Sequence, residues 1–288
     1  MKSIKVIAAT VLSVLSLSAN AQSIMRIEMT DGKQMEIPVS SVTSISWYSN
    51  EPEETEPSTP DNTPSEVKAV DLGLPSGLKW ANMNIGAESP EDYGDYFAWG
   101  ETTGYKDGKR DFSSATYKYY LVTKITTPDT TDKDGFFIPG TTTTTTGYTK
   151  YVTKKDASKN GYDGFCDDKA VLEPEDDAAY VNWGGDWRMP TKKEQDELRN
   201  GCTWEWAELK GVKGYKVTGP NGNFIFLPAA GSRDNSGLSN AGSFGDYWSS
   251  SLYPDGSGYA CGLYFRSGGW YWGNGYRFSG HSVRAVCP

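Results

Sequence analysis

The chain has 288 residues, enough for one large domain with small appendages. Its formal net charge is −9, and no segment carries the basic stripe that nucleic acids or anionic lipids require. The composition therefore predicts no nucleic-acid partner. The single histidine, His281, also excludes a metal centre built from several histidines.

The first 21 residues have the pattern of a secretory signal peptide. Lys2 and Lys5 precede an apolar run from Val6 to Leu17, and Ala19-Asn20-Ala21 supply small residues for cleavage after position 21. An apolar core of about a dozen residues is too short to span a bilayer, and no later segment is apolar enough. We therefore expect no membrane span and a secreted or cell-surface protein, with the periplasm as an alternative location.

All four cysteines follow the predicted cleavage site. In an exported protein an even number of cysteines favours disulfides, and three pairings are open. We predict a bond between Cys202, which follows a capped helix, and Cys287, which ends the last strand. The pairing of Cys166 and Cys261 stays open. Zinc is the weaker alternative because no C-x-x-C pair exists, so we predict no metal site.

Two short segments precede the main domain. Residues 22–50 form a predicted small β appendage, since IMRIEM and QMEIPV alternate around a Thr-Asp-Gly-Lys turn and Val42 to Trp47 alternates again. About 25 residues cannot close a core alone. Residues 51–66 contain four prolines and six acids, which predicts an extended, solvated linker.

The main domain is predicted to span 67–288. It begins with strand patterns that are interrupted by Gly and Pro. A Thr-rich region follows at about 106–163 and includes six consecutive threonines, Thr141 to Thr146. Nothing in that region specifies a core, so we predict a surface insertion that is partly mobile. Strands are also predicted around Tyr215 to Thr218 and Asn223 to Leu227, on either side of a Gly-Pro-Asn-Gly turn.

The centre of the chain contains two sequence signals for the start of a helix. In Leu172 to Ala179 an early proline and several acids match the chemistry of a helix N-terminus. This acidic cluster, with Asp167 and Asp168, offers calcium as an alternative, although the spacing matches no EF-hand loop. Thr191 and Glu194 form a capping box, which predicts a helix from Lys192 to about Asn200.

The C-terminal stretch, 244–287, is rich in aromatics, Gly and Ser. Strands are predicted at Tyr259 to Arg266 and Tyr276 to Val286, with reversals at 267–269 and 273–275. Five residues are predicted to face the core: Ala260, Leu263, Phe265, Val283 and Val286. The candidates for an outer, ligand-binding face are Tyr253, Tyr259, Tyr264, Arg266, Trp270, Tyr271, Trp272, Asn274, Tyr276, Phe278 and His281.

Rigid aromatics between small polar residues are typical of a binding surface, because Tyr and Trp give contact area at low entropic cost. The alternative is that these aromatics pack on each other at the rim of a β-rich core.

The run DDAAYVNWGGDWRMPTKKEQDEL resembles the two-helix signature of the C-type lectin-like superfamily in its formylglycine-generating-enzyme branch. Together, VDLGLPSGLKWANMNIGA, YFAWGET, WRMPT, IFLPAAG, YWSSS and SVRAV resemble the Fibrobacter succinogenes major paralogous domain. The resemblance covers about 67–288 apart from the Thr-rich insertion. It implies an α+β fold with two short helices, twisted antiparallel sheets, and N- and C-terminal strands close together.

The resemblance does not imply catalytic activity for this chain. The superfamily's enzymes need paired cysteines near the end or histidine-based metal sites, and neither arrangement is present here. No G-x-S-x-G nucleophile elbow occurs. The calcium-lectin motifs E-P-N, Q-P-D and W-N-D are also missing, so a sugar-binding function does not follow from the resemblance. We therefore predict a protein that is not an enzyme and uses no cofactor.

The sequence thus favours an exported, adhesin-like protein that binds a protein or a glycan through its C-terminal hairpins. The alternative is a structural subunit of an envelope or fimbrial assembly, in which the strands of the appendage pair with a neighbour.

A further hypothesis concerns Asp246 to Arg284, which resembles the variable region in target proteins of diversity-generating retroelements. Adenine mutagenesis of Asn codons cannot produce Lys, Glu, Gln, Met or Trp. The 39 residues lack the first four types, which make up 45 of the 288 residues of the chain. Three tryptophans, Trp248, Trp270 and Trp272, would have to be encoded by the template.

Overall fold

The computed structural model describes residues 9–15, 24–29, 34–38, 63–64, 66–106, 110–131, 133–235 and 237–288. For the first three ranges and for Trp272 it describes the backbone alone. The chain divides into two compact units, Met1–Pro57 and Ser58–Pro288.

The smaller unit contains a three-stranded antiparallel sheet of order β1-β2-β3, with β1 at Ala9–Leu15, β2 at Ile24–Met29 and β3 at Gln34–Pro38. The β2–β3 hairpin is the one predicted from its alternation. The predicted segment from Val42 to Trp47 lies outside the described residues. Strand β1 falls within the predicted signal peptide, so cleavage after Ala21 would separate it from β2. That cleavage stays a prediction.

The larger unit is built mainly from antiparallel strands, with few helices. Its class is therefore α+β, as the sequence predicted. Its helices are α1 (Ala157–Asn160), α2 (Ala178–Trp183) and α3 (Lys192–Gly201). Its strands are β4 (Ala69–Asp71), β5 (Lys79–Ala81), β6 (Tyr120–Thr126), β7 (Thr130–Thr131), β8 (Phe137–Ile138), β9 (Thr142–Tyr148), β10 (Thr203–Leu209), β11 (Val212–Thr218), β12 (Phe224–Pro228), β13 (Ser232–Asp234), β14 (Gly237–Ser239), β15 (Phe244–Leu252), β16 (Tyr259–Arg266), β17 (Gly269–Tyr276) and β18 (Val286–Cys287).

These strands form several small sheets. Three of them have three strands each, in the orders β10-β11-β12, β15-β16-β17 and β18-β5-β4, while β6 with β9, β7 with β8 and β13 with β14 form two-stranded ribbons. In the β18-β5-β4 sheet, the C-terminal strand pairs with β5 through Val286 and Trp80. The first and last strands of the larger unit therefore lie in one sheet, as the resemblance implied.

One of the two predicted helix starts agrees with its sequence signal. Thr191 caps α3 by accepting a hydrogen bond from the Glu194 backbone, and the Glu194 side chain accepts one from the Thr191 backbone. This reciprocal pairing satisfies two N–H groups that the first helical turn leaves open. Asp177 caps α2 through the N–H groups of Ala179 and Tyr180. The predicted start of α3 is confirmed, whereas Pro174 and the acids after it begin a single 3₁₀ turn at Pro174–Asp176, and α2 starts behind that turn.

Two apolar clusters form the core of the larger unit. One includes the aromatic residues Trp99, Tyr151 and Trp248, and the other includes Leu198 of α3 and Phe265 of β16. Complete burial of each such side chain stabilises the fold by about 2 to 3 kcal/mol. The five residues predicted to face inward are all buried, which confirms that part of the pattern: Ala260, Leu263, Phe265, Val283 and Val286.

The Thr-rich insertion is smaller than predicted. Strands β6 and β9 form a seven-pair ribbon, and Phe137 near its far end is 66% exposed, in keeping with a surface insertion. The flanks differ from the prediction, because Phe112, Tyr117, Tyr151 and Val152 are buried in the first apolar cluster. The aromatic flanks supply core residues, and the ribbon between them is what protrudes.

The predicted Cys202–Cys287 disulfide is absent, since all four cysteines are free thiols in the structure. The physical reason is their packing. Cys287 belongs to the first apolar cluster, whereas Cys202 packs against the second. Burial raises the pKa of the Cys202 thiol to about 11, which keeps it protonated at neutral pH.

Candidate ligand-binding surface

The C-terminal hairpin differs from its predicted form in one strand. Strands β16 and β17 join through Ser267-Gly268, so the first reversal is confirmed. The second predicted reversal, at 273–275, is wrong, because these residues lie inside β17 in continuous register with β16. The predicted strand from Tyr276 to Val286 is therefore also wrong, because only its two ends lie in strands, Tyr276 in β17 and Val286 in β18.

The glycines of this hairpin are needed for packing. A Cβ at Gly273 would come within 2.7 Å of the Tyr264 ring, and one at Gly262 within 3.0 Å. At Gly275 a Cβ would meet His281 at 2.7 Å, and Trp248 and the Tyr264 hydroxyl at 2.8 Å each. The Tyr264 ring thus lies across a stripe of glycines, which gives it room to lie close to the sheet.

Replacing Gly275 with alanine is expected to lower the free energy of unfolding by about 1 to 3 kcal/mol, because the new methyl group meets three rigid rings. Gly268→Ala is the matched control, since a Cβ there meets nothing within 4 Å. Urea titration of both variants measures the difference. Equal midpoints for the two would contradict the packing role of Gly275.

Four predicted surface residues form a continuous aromatic strip, made of Tyr253, Tyr259, Tyr276 and Phe278. The ring centroids of Tyr253 and Tyr259 are 6.4 Å apart, those of Tyr259 and Tyr276 are 4.7 Å apart, and those of Tyr276 and Phe278 are 5.0 Å apart. Tyr276 is 51% exposed, and the other three are partly exposed. The strip therefore leaves part of its aromatic surface exposed to solvent while its members hold each other in place.

The other end of β17 carries further exposed aromatics. Trp270 is 36% exposed and rests on Trp204 and on the guanidinium of Arg199, whose carbon lies 5.0 Å from the Trp270 ring centroid. Tyr271 is 46% exposed and stacks on Tyr264. Arg266 and Asn274 are exposed, and the Trp272 backbone pairs with Leu263. The structure thus brings most of the predicted residues together on one hairpin.

Two predicted surface residues are buried. Tyr264 is covered by Tyr271, and His281 stacks on Trp248 with the ring centroids 3.9 Å apart. Both positions were predicted for the outer face, and the glycine stripe explains why they lie inside. Burial lowers the pKa of His281 to about 4, against an opposing contribution from Asp246. Burial also raises the pKa of Tyr264.

Arg277 is a supporting residue that sequence reasoning missed. Its side chain is fully buried, within 6.0 Å of the ring centroids of five aromatic residues. Its guanidinium donates to the carbonyl oxygens of Lys150 (2.9 Å), Ser257 (3.0 Å) and Tyr151 (3.3 Å) and to the Tyr117 hydroxyl (3.0 Å). Arg277 therefore joins the base of the β6–β9 ribbon to the segment that carries the aromatic strip.

The acidic cluster near α2 already holds the ammonium group of a lysine. Carboxylate oxygens of Glu173, Glu175 and Asp176 lie within 4.8 Å of one another, but the Lys150 ammonium contacts all three at 2.6 to 3.1 Å. Although burial opposes ionisation, hydrogen bonds from Lys150, Tyr119 and Tyr151 lower the pKa of Asp176 to about 2. The lysine thus takes the place that the calcium alternative assigned to a metal ion.

A polar cleft of about 590 Å³ lies outside this surface. Its lining includes Glu101, Arg110 and Lys118. Arg110 forms a two-pronged pair with Glu101, and Lys118 reaches Asp176 at 3.1 Å. Arg110 and Lys118 are thus both engaged in ion pairs at this cleft.

No protein family model, curated protein or solved structure matches the chain. The resemblance to the C-type lectin-like superfamily therefore stays a prediction from the sequence, beside the observed α+β class. Within the described ranges, no helix has the length and apolar character needed to cross a membrane.

Proposed function

We propose that the chain is an exported, adhesin-like protein that binds a protein or glycan ligand through its C-terminal hairpin. The observation that carries the proposal is the aromatic strip, whose four rings form an unbroken series in which Tyr276 is half exposed. Ring faces of this kind stack on sugar faces and on apolar protein side chains alike.

The support beneath the hairpin favours this proposal. Phe265 and Leu263 of β16 are buried in the second apolar cluster, and Arg277 ties the neighbouring backbone to the ribbon base. A surface held by a separate core loses little conformational entropy when a ligand binds. Export through the predicted signal peptide and a location at the cell surface are part of the same proposal.

Simultaneous replacement of Trp270, Trp272 and Tyr276 with alanine is expected to abolish ligand binding. Each aromatic anchor at the centre of an interface contributes about 2 kcal/mol or more, so the affinity should fall about ten-thousandfold or more. The measurement uses the full-length secreted chain on a printed glycan array and on an array of purified cell-surface proteins.

The matched control replaces three exposed apolar residues of the protruding ribbon, Val122, Ile125 and Phe137, with alanine. This control should retain the wild-type ligands. Far-UV circular dichroism and melting temperature report whether each variant folds. Failure of the wild-type chain to bind either array would reject the proposal, and so would equal loss of binding in both triple variants.

A further inference from the structure

The β15-β16-β17 sheet has two different edges. The β15 edge is covered, because Gly245 bridges to Gly231, Tyr247 to Ser282 and Ser251 to Val171. In the described part of the chain, no strand or bridge covers the outer side of β17. This edge is eight residues long, and its pairing with β16 runs without a register shift.

The register shows which backbone groups point to the open edge. Arg277 N–H donates to the Gly258 carbonyl across the two strands, and hydrogen-bonded and non-hydrogen-bonded pairs alternate in an antiparallel ladder. The two-residue turn at Ser267-Gly268 places Arg266 and Gly269 in a hydrogen-bonded pair, in agreement with that alternation. The residues whose N–H and C=O groups point outward are therefore Trp270, Trp272, Asn274 and Tyr276. Of these groups, the Tyr276 carbonyl accepts from Ser279 N–H.

The β17 edge lacks the features that normally prevent pairing. Natural edge strands carry charges, prolines or bulges that block another strand. The β10 edge follows this rule, since it includes Glu205 and Glu208. The β17 sequence GWYWGNGY has no charge and no proline. Its outward backbone groups are complementary to one kind of partner, another extended strand.

We propose that this strand is a second copy of β17, paired antiparallel across a two-fold axis that passes through Gly273. In this register Trp272 lies opposite Asn274 of the second copy and Trp270 lies opposite its Tyr276. All four are outward-pointing residues, so the two copies match each other's hydrogen-bond pattern. The Tyr276 carbonyl of each copy already accepts a hydrogen bond from Ser279 and is not counted. The remaining outward groups form about six hydrogen bonds between the copies, which joins the two sheets into one sheet of six strands.

The side chains are compatible with this register. Tyr271 lies opposite Gly275 of the second copy, where the absent side chain leaves room beside the ring. Because the strand is uncharged, the two copies place no like charges across the axis. Edge pairing uses backbone groups, so the side chains of Tyr253, Tyr259 and Phe278 stay available. The dimer therefore does not depend on the proposed ligand-binding function.

Sedimentation velocity of the secreted chain over a range of concentrations tests the proposal. The wild-type chain should form a dimer, and Asn274→Pro should raise the dimer dissociation constant about a hundredfold or more, because proline removes an outward donor at a position where an edge strand tolerates it. Asn274→Thr is the matched control, since it keeps the N–H and favours a strand. A wild-type chain that stays monomeric at every concentration would overturn the proposal, as would an unchanged dimer in a folded Asn274→Pro variant.

A second measurement tests the register itself. An equimolar mixture of Trp272→Cys and Asn274→Cys chains should form an intermolecular disulfide between these two positions, because residues in a hydrogen-bonded pair have Cα atoms about 5.5 Å apart. Peptide mapping by mass spectrometry distinguishes this link from bonds to the native cysteines. Cross-links at other positions alone would reject the two-fold axis at Gly273.

Discussion

Replacing Arg277 with methionine should lower the free energy of unfolding by about 3 to 5 kcal/mol. Methionine fills a similar volume but cannot donate a hydrogen bond. The carbonyls of Lys150, Tyr151 and Ser257 would then be buried without their present donor, and five aromatic rings would lose a cation. Urea unfolding followed by tryptophan fluorescence measures the loss.

Two further variants separate charge from geometry at this position. Arg277→Lys keeps the positive charge but lacks the planar guanidinium that donates to several acceptors at once. Most of the loss in unfolding free energy should therefore remain in this variant. Arg266→Met removes an exposed arginine at the end of β16 and should change stability by less than about 0.5 kcal/mol. A loss below about 1 kcal/mol for Arg277→Met would contradict the anchoring role.

Hydrogen exchange offers a local measure of the same role. Because Arg277 holds the ribbon base to the hairpin segment, its loss should raise exchange at Lys150 and Tyr151 more than in α3. Uniform exchange changes across the larger unit would show that Arg277 stabilises the core as a whole instead.

His281 is expected to make the fold sensitive to acid. Burial lowers the pKa of His281 to about 4 from an ordinary value of 6.5, so the unfolded chain binds this proton more readily. The contribution of neutral His281 is fully present above pH 6.5 and is lost progressively as the pH falls toward 4. The shift corresponds to about 3 kcal/mol over this interval.

Asp177 changes the free energy of unfolding with pH in the direction opposite to His281. The contribution of His281 is therefore measured as the difference between the wild-type chain and a variant that lacks this histidine. Burial raises the pKa of Asp177 to about 6 from 3.8, although three backbone N–H groups oppose the shift. The folded chain therefore binds that proton more readily, which adds stability as the pH falls below 6. In the wild-type chain, the contributions of His281 and Asp177 to the pH dependence of the unfolding free energy therefore partly cancel.

His281→Phe keeps a ring stacked on Trp248 and removes the titrating group. The unfolding free energy of the wild-type chain relative to this variant should fall by about 3 kcal/mol between pH 6.5 and pH 4. Urea titrations at several pH values measure both curves. Parallel curves would show that His281 does not titrate with a lowered pKa in the folded chain.

The structure supplies a second explanation for the unusual composition of Asp246 to Arg284. The glycines at 262, 273 and 275 make room for the Tyr264 ring, and Ser249 is buried with its hydroxyl donating to the Cys261 carbonyl. Such positions disfavour long charged side chains whatever the origin of the segment. We propose that any diversification by a retroelement is confined to exposed positions such as Tyr271, Asn274 and Tyr276.

Local features of the chain could be predicted because their partners are close in sequence. The capping box joins Thr191 to Glu194, three residues away, and the turn between β11 and β12 is defined by four consecutive residues. The burial of Leu263 and Phe265 could be expected from their apolar side chains, but alternation failed at Tyr264 because β16 is buried on both faces. The aromatic character of the candidate surface could also be predicted, because it depends on the composition of a single hairpin.

The positions of Arg277, His281 and the glycines of β17 depended on residues far away in the chain. Tyr117 and Lys150, which hold Arg277, are 160 and 127 positions distant. No local pattern distinguishes this buried arginine from an exposed one, and an isolated glycine looks the same in a turn as beneath a ring. Burial is set by which segments the fold packs together, and so these roles became visible only with the packed structure.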